Sequence, residues 1–219
     1  MIIADLHIHT KYSQDSLLEP RTIIKTAEKQ GLNTIAITDH NTIRGALATL
    51  KIAPLSTNIT IIPGVEMRVL DHDIICLFIT EQPKRINNYS EFLDHAKDLG
   101  ALTILAHPYR KRKPIPKELA QKVDLIETLN ARTPHKANLK AQKLAHNLHK
   151  HGTAGSDAHL ALEIGKARTI IPQTAYNLEE IRKALLKDKK ILIGKESPLL
   201  VHLATITIEA YKKLTKQNQ

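Results

Sequence analysis

The chain has 219 residues, of which 42% are hydrophobic and 25% charged, ordinary proportions for a globular protein. This length is typical of one domain with a sizeable core, and α/β barrels commonly have roughly 200–250 residues. The single cysteine excludes a disulfide framework and a CxxC metal cluster. With two Phe, five Tyr and no Trp, the composition argues against the extended aromatic platforms on which single-strand binders stack bases.

The chain is strongly basic, because 32 Lys and Arg against 22 Asp and Glu give a formal charge of +10. Such an excess attracts polyanions and favours a phosphorylated or nucleic-acid partner, although a solvated lysine-rich surface explains it equally well. No apolar run approaches transmembrane length, and the amino terminus does not resemble a signal peptide. We therefore expect a cytoplasmic protein with no membrane partner. No pattern indicates an oligomeric state.

Short apolar runs alternate with amphipathic stretches along the chain. The apolar runs are, in order, IIADLHI, NTIAITD, ITIIPGVEM, DIICLFI, LTILAH, VDLIETL and TAGSD. Helical patterns separate most of them, and three of these patterns end in glycine, at Gly31, Gly100 and Gly152. A helical pattern closed by glycine and followed by an apolar run predicts βα units around a parallel sheet.

About seven predicted strands favour a compact α/β barrel over an open doubly wound sheet. No G-x-G-x-x-G follows any strand, so a dinucleotide-binding fold lacks its motif. Two further helices are predicted between about residues 177 and 216, with the run ILIG between them. We expect residues 1–219 to form a single domain.

Chemically capable side chains follow the predicted strands at their carboxyl ends, where βα barrels place their active sites. His7 and His9 lie two residues apart in the first strand and therefore on one face. The complete set is Asp5, His7, His9, Asp39, His40, Glu66, His107, Glu127, Asn130, Asp157 and His159. Histidines such as His95 and His146 lie instead in helical patterns, where a solvated or packed side chain is the simpler interpretation.

Five histidines at one end of a barrel would be costly if the site were empty and dry. A mixed nitrogen and oxygen set without thiolate suits Zn, Mn or Fe(II), and its size exceeds the four ligands of one tetrahedral zinc. The surplus predicts two or three divalent metals that share a bridging carboxylate. The alternative for the His7 and His9 pair alone is two solvated histidines at a strand end.

Five ordered segments resemble the motifs of the PHP (polymerase and histidinol phosphatase) family. They are DLHIHTKYSQDS, ITDHNT, PGVE, LAHPY and GSDAH, and the resemblance extends from Ala4 to about Gly165. The resemblance implies a distorted (βα)7 TIM-like barrel with a trinuclear metal site that hydrolyses phosphoesters. Members of the family include histidinol-phosphate phosphatases, nucleotide phosphatases and exonucleases.

The resemblance also implies roles for the residues at the motif positions. His7, His9 and Asp157 would bind a first metal, Glu66 would bridge to a second metal that His107 completes, and Asp15, His40 and His159 would bind a third. His7, His9, Glu66, Asp157 and His159 would form the catalytic set. Asp5 and Asp39 are expected to orient the neighbouring imidazoles. A further ligand position before the fourth apolar run falls on His72 or on Asp73, so that a site of two metals stays open.

A basic loop follows the predicted ligand His107 and could hold a phosphate group. It carries Tyr109, Arg110, Lys111, Arg112 and Lys113. Arginine suits bidentate phosphate recognition, and lysine acts as a point charge. Arg132, after the sixth run, and Arg168, after the last motif, are further candidates, and a solvated basic loop is the alternative.

The sequence favours a metal-dependent phosphoesterase that hydrolyses a phosphate monoester or a short nucleotide or oligonucleotide through a metal-activated water. A catalytically silent barrel that binds RNA or DNA is the alternative from another class, and the charge of +10 supports it. An amidohydrolase-like enzyme is a weaker alternative. Amidohydrolases of this kind usually bridge their metals with a lysine from a strand, whereas Glu66 would bridge here.

Overall fold

Apolar strands and amphipathic helices alternate along most of the chain. The structure, a computed structural model, describes residues 1–53, 58–111, 113–172, 177–187 and 189–217. The strands are β1 (Ile2–Ile8), β2 (Thr34–Ile37), β3 (Thr60–Val69), β4 (His72–Leu77), β5 (Leu102–Leu105), β6 (Leu125–Asn130), β7 (Gly152–Gly155), β8 (Ala167–Ile171) and β9 (Ile191–Gly194). The α-helices are α1 (Pro20–Lys29), α2 (Arg44–Ile52), α3 (Tyr89–Asp98), α4 (Lys117–Lys122), α5 (His135–Asn147), α6 (Leu178–Lys187) and α7 (Leu199–Gln217).

The strands form one sheet that closes almost completely into a barrel. Their order is β7-β6-β5-β4-β3-β2-β1-β8-β9. Strands β1 and β7 meet and close the barrel. The His9 amide, just after β1, donates to the Ala158 carbonyl at 2.9 Å, just beyond β7. A parallel bridge between Ile8 and Ala158 marks the same junction. The predicted α/β class with a distorted barrel is confirmed.

The sheet is mixed, whereas the glycine-closed helices predicted parallel strands. Strands β3 and β4 are antiparallel because a two-residue turn at Leu70 and Asp71 joins them directly, with no helix between. Leu70 adopts a φ of 49°, the left-handed conformation that tight hairpin turns require. Strand β8 also pairs antiparallel with β1, and the sequence pattern did not predict it.

The helices follow the signals that the sequence provides. Helix α1 begins at Pro20, whose fixed φ suits the first helical position, and it buries Ile23, Ile24 and Ala27. Gly31 follows α1 with a φ of 70°, the left-handed conformation that commonly ends a helix. Helices α6 and α7 lie within the predicted carboxyl-terminal helical region. No helix in the described ranges has the length and apolar character needed to cross a bilayer.

The barrel interior is aliphatic, as the scarcity of aromatic residues predicted. Leu6, Ile62, Ile75 and Leu102 belong to one buried cluster, on which α6 packs. Ile62 and Glu66 are four residues apart on β3 and therefore share a face. The aliphatic cluster thus fills the part of the barrel interior that lies beneath Glu66.

The one cysteine is expected to be unreactive in the folded protein. Cys76 is fully buried in β4, and burial raises the pKa of its thiol to about 12. Because the thiolate is the reactive form, an aromatic disulfide reagent at pH 8 should label almost no thiol until urea unfolds the chain. Rapid stoichiometric labelling without urea would contradict the burial of this side chain.

Candidate metal centre

The barrel gathers the predicted ligands at the carboxyl ends of its parallel strands. The end of β1 supplies His7 and His9, and the segments after β2, β5 and β7 supply His40, His107 and the pair Asp157 and His159. Strand β3 is long enough to carry Glu66 past its parallel neighbour to the same place. All these side chains are buried or nearly so.

The converging side chains form four overlapping groups, each with ligand atoms that lie within 4.8 Å of one another. The groups are His9, Asp15, His40 and His159; His7, His9 and Glu66; His7, His107 and Asp157; and Glu66, Asp73 and His107. Shared members link the groups into one continuous cluster. A cluster of this size can hold more than one cation.

Glu66 lies at the centre of the cluster. Its Oε2 is 2.9 Å from His40 Nδ1, 3.3 Å from His7 Nε2 and 3.5 Å from His9 Nε2. Its Oε1 is 2.9 Å from His107 Nε2. One carboxylate therefore faces four imidazoles with both of its oxygens, the arrangement expected of a bridging ligand.

Three atoms of the cluster show that its residues fit a bound cation. His7 Nε2, His9 Nε2 and Glu66 Oε2 are buried and form no hydrogen bond among the described residues. A buried polar atom without a partner costs about 1–3 kcal/mol. A cation coordinated by these atoms would remove that cost, because imidazole nitrogen and carboxylate oxygen are both good ligands of first-row divalent metals.

Glu127 fixes the orientation of His7. Its Oε1 lies 3.0 Å from His7 Nδ1, so the carboxylate accepts a hydrogen bond from Nδ1–H and Nε2 points into the cluster. Its Oε2 accepts the backbone N–H of His107 at 2.9 Å. The sequence placed Glu127 at a strand end but did not indicate this role. Its position at the same end of the barrel as His7 was the signal that could have suggested it.

Asp15 lies in the loop between β1 and α1 and belongs to the group with His9, His40 and His159. Its Oδ2 lies 3.0 Å from His159 Nε2 and 3.3 Å from His40 Nε2. The Ser13 hydroxyl donates to Asp15 Oδ1 at 2.9 Å and holds the carboxylate in this orientation. The structure thus brings together the three residues that the resemblance assigned to a third metal.

Electrostatic coupling within the cluster shifts several pKa values. Burial raises the pKa of Glu66, but the charges of His40 and His7 outweigh it and hold that pKa well below its ordinary value. Burial and the neighbouring His159 and His40 lower the pKa of His9 to about 3. The pKa of His7 is raised well above its ordinary value, because the charges of Asp157, Glu127 and Glu66 outweigh its burial. A bound cation would replace the proton on such an imidazole, since ligand histidines must be neutral.

The structure places Asp73, and not His72, in the cluster. In the antiparallel pairing of β3 with β4, Asp73 lies opposite Arg68, which shares a face with Glu66. His72 therefore points to the other face, where its Nε2 lies 3.0 Å from the Pro114 carbonyl oxygen. Of the two residues that the sequence left open for this position, Asp73 therefore lies beside Glu66 and His107, and His72 does not.

Asp5 and Asp39 contact backbone groups rather than imidazoles, contrary to the expectation. Asp5 accepts the amides of Ser156 at 2.9 Å and Gly165 at 2.8 Å, and Asp39 accepts the Thr10 amide at 2.6 Å. Burial raises the pKa of each carboxyl to about 6. Asp39 also accepts the Thr10 hydroxyl at 2.7 Å. The two carboxylates thus fix the segments next to Asp157 and His9 rather than the imidazoles themselves.

Of the predicted phosphate-binding residues, Arg110 reaches the cluster. Its guanidinium donates to Asp157 Oδ2, and to Asn130 Oδ1 at 2.8 Å. Tyr109 precedes it on the same loop and is half-buried. Arg112 lies outside the described residues. The Lys111 ammonium also approaches the cluster, at 4.0 Å from Asp73 Oδ2, whereas Lys113 pairs with Asp71. Arg168 is bonded to Gly165 and Gln30, away from the cluster.

Arg132 is occupied by a structural ion pair rather than available to a phosphate. Its Nε donates to Glu163 Oε1 at 2.8 Å, and its Nη2 donates to the Val201 carbonyl at 3.2 Å and to the Thr205 hydroxyl. Both charged side chains are buried. Arg132 therefore fixes α7 to the barrel. Its position in the sequence, after the sixth apolar run, could not distinguish this structural role from phosphate binding at the rim of the site.

Two residues of the cluster adopt left-handed backbone conformations. The φ angles are 28° at His107 and 55° at Asp157. A residue with a side chain normally avoids this region, at a cost of order 1–3 kcal/mol where the surrounding structure enforces it. The main chain is thus strained where it directs these two side chains into the cluster.

Lys212 of α7 is expected to stabilise the first loop. Its ammonium donates to the carbonyls of Lys11, Ser13 and Ser16 at 2.6–2.7 Å, and this loop carries Asp15. Lys212→Met should lower the free energy of unfolding by about 1–2 kcal/mol, because the carbonyls lose their donor.

Urea unfolding would measure this difference against Lys213→Met on the same helix. Lys213 forms an exposed ion pair with Glu209, and such pairs contribute about 0.3–0.5 kcal/mol. Equal losses in the two variants would contradict a specific role for Lys212.

The fold and the site together define a barrel that gathers histidine and carboxylate ligands at one mouth. The PHP domain family matches residues 5–196, and the chain belongs to this family.

The similar proteins span several organisms. An uncharacterised protein of Methanocaldococcus jannaschii is 38% identical over 143 residues, which cover 58% of this chain and 81% of the relative. The 5′-3′ exoribonuclease Rnm of Escherichia coli is 31% identical over 121 residues, 46% of this chain and 41% of that enzyme. This chain thus matches less than half of the exoribonuclease.

Solved structures support the fold. PsfC from Pseudomonas syringae superimposes with a TM-score of 0.67 at 15% identity, and the match covers 98% of each chain. A protein of Bifidobacterium adolescentis, whose proposed activity is that of a metal-dependent phosphoesterase, superimposes with a TM-score of 0.60 at 18% identity over 83% of this chain and 95% of that one. At these identities the likeness concerns the fold alone.

Proposed function

We propose that this protein is a metal-dependent phosphoesterase that hydrolyses a phosphate ester of a nucleotide or nucleic acid. The observation that carries the proposal is the buried cluster around Glu66, with its unpaired His7 and His9 nitrogens and its adjacent Arg110. Membership of the PHP family supports the same chemistry.

Two or three divalent ions (Zn, Mn or Fe) would occupy the cluster. His7, His9, Glu66 and Asp157 would hold a first ion, Glu66, Asp73 and His107 a second, and Asp15, His40 and His159 a third. Bound ions of this kind supply an activated water and neutralise the charge of the phosphoryl group.

The side chains of the protein prepare this site for an anion. Glu127 keeps a proton on His7 Nδ1, so that His7 Nε2 stays free to coordinate. The aliphatic core beneath Glu66 excludes water from the floor of the site. Arg110 presents a guanidinium at the edge of the cluster, where it can bind phosphate oxygens and oppose their charge.

A nucleotide or nucleic-acid substrate is favoured over other phosphate esters. The charge of +10 attracts polyanions. Relatives that match parts of this chain are 5′-3′ exoribonucleases in Escherichia coli and Salmonella typhimurium. A small phosphate monoester is the second candidate, and the metal cluster suits either ester.

The test is turnover by protein stripped with a chelator and then reloaded with Mn, Zn or Fe(II). The substrates are a generic phosphomonoester, a phosphodiester and a short 5′-phosphorylated oligoribonucleotide. Metal-restored cleavage of any of them supports the proposal, and the preferred substrate separates phosphatase from nuclease. Absence of both metal binding and cleavage would overturn it and favour a silent nucleic-acid-binding barrel.

Arg110→Gln is expected to raise the Michaelis constant for the cleaved substrate by about tenfold, because a charged hydrogen bond to phosphate is lost. The turnover number should fall less. Initial-rate kinetics of the metal-loaded variant measures both constants, with Lys113→Gln on the same loop as the control. An unchanged Michaelis constant would mean that Arg110 does not hold the substrate.

A further inference from the structure

An aromatic ring and a guanidinium lie together on two segments that also carry residues of the candidate metal cluster. Arg44, the first residue of α2, has its Cζ 5.3 Å from the centre of the Tyr12 ring. Tyr12 is half-buried, and Arg44 is exposed. The two side chains therefore form a cation–π pair on the surface, and the Lys11 ammonium lies 5.8 Å from the centre of the same ring.

This pair lies next to the ligand set along both segments that carry it. Tyr12 follows His9 by three residues and directly precedes Ser13, whose hydroxyl orients Asp15. On the other segment, Gly45 brings α2 against the barrel. A Cβ atom at position 45 would lie 1.7 Å from Asp39 Oδ2 and 2.3 Å from Thr10 Oγ1, so only glycine permits this approach.

A shallow depression of about 400 Å³ opens beside the pair. Leu47, Ala48 and Ile52 form its apolar floor, and Arg44 and Lys51 form its basic rim. Within the part of the chain that the structure describes, the side chains of Arg44 and Lys51 form no ion pair or hydrogen bond. The depression thus combines a flat stacking surface, apolar contact area and two basic side chains.

We infer that this depression is a nucleoside subsite, in which a base stacks on the Tyr12–Arg44 pair and Lys51 or Arg44 contacts a neighbouring phosphate. Bases stack on aromatic rings and on arginine planes without regard to sequence, and the flanking cations attract the backbone. The inference rests on the proposed function and narrows its substrate class to single-stranded nucleic acid. A single stacking position suffices for an enzyme that works at a chain end, which reconciles the subsite with the scarcity of aromatic residues.

The experiment compares two substrates that differ only in whether their first two nucleotides carry bases. A short 5′-phosphorylated single-stranded RNA is paired with the same strand lacking the bases of its first two nucleotides, and metal-loaded wild-type protein cleaves both. Tyr12→Ala should raise the Michaelis constant for the intact strand by about tenfold, within the range that stacking on one ring provides. The same variant should leave cleavage of the abasic strand unchanged.

Conservative and distant variants serve as controls. Tyr12→Phe keeps the ring and should behave as wild type, and Tyr211→Ala removes an exposed tyrosine on α7 and should change neither substrate. Arg44→Met provides a second test at an exposed position, with the same selective loss expected for the intact strand.

The outcomes separate the inference from the proposed function. If Tyr12→Ala and Arg44→Met slow both strands equally, or neither, the depression is not a nucleoside subsite even though the enzyme is a phosphoesterase. If wild-type protein cleaves both strands with the same Michaelis constant, the inference also fails. If wild-type protein cleaves neither strand nor a small phosphate ester with any metal, the proposed function itself fails.

Discussion

Alanine at His9 or at Asp157 is expected to abolish hydrolysis. The metal-dependent rate should fall by about a thousandfold or more, equivalent to ~4 kcal/mol of transition-state stabilisation, because either change removes a ligand from the centre of the cluster. His9 Nε2 and Asp157 Oδ1 lie 3.2 Å apart, so both substitutions affect the same position. Initial rates together with the metal content of the purified variants measure the effect.

The control for these variants is a histidine remote from the cluster. His146 is exposed on α5, and His146→Ala should retain both the activity and the bound metal of the wild type. The circular dichroism of all three variants should match the wild type, because the barrel core is unchanged. Retention of most activity in both His9→Ala and Asp157→Ala would exclude the proposed metal centre.

Removal of Arg132 is expected to cause the largest loss of stability. Arg132→Met leaves the Glu163 carboxylate buried opposite an apolar side chain, and breaking a buried ion pair in this way costs about 3–5 kcal/mol. The same change removes the bond to the Val201 carbonyl and so loosens α7. Urea unfolding of the variant and the wild type gives the difference in free energy.

A double variant shows whether the cost comes from the unpaired charge. Arg132→Met combined with Glu163→Gln should recover part of the loss, since no charge is then left buried. Lys183→Met breaks the exposed pair with Glu179 and should cost at most about 0.5 kcal/mol. A loss in Arg132→Met no larger than that in Lys183→Met would show that the buried pair is not a source of stability.

The periodicity of the sequence predicted the barrel because each parallel strand with its helix is a local unit. The runs from IIADLHI to TAGSD correspond to β1–β7, and helices α1 and α3 end near the predicted Gly31 and Gly100. Gly152 instead begins β7, and the left-handed residue after α5 is His149. The antiparallel β8 was not predicted, because ARTII follows Gly165 without the long apolar run of a doubly buried strand. Buried and partly exposed residues alternate along β8, as expected for a strand with only one face in the core.

The sequence predicted most residues of the cluster, because the carboxyl ends of the parallel strands converge at one mouth of the barrel. The sequence could not decide between His72 and Asp73, because neighbouring residues of a strand face opposite ways and the register with β3 decides which one points inward. Arg132 and Asp5 were misassigned for a similar reason. Their partners Glu163 and Gly165 lie far away in sequence, and no local pattern shows such pairings.

The left-handed conformations of His107 and Asp157 link the chemistry of this protein to its thermal stability. A glycine at either position would relax the main chain, yet it would delete a ligand. Substitutions selected only for a higher melting temperature should therefore accumulate at these positions and yield robust but inactive proteins. Stability and the proposed metal binding would then make opposite demands on the same two residues.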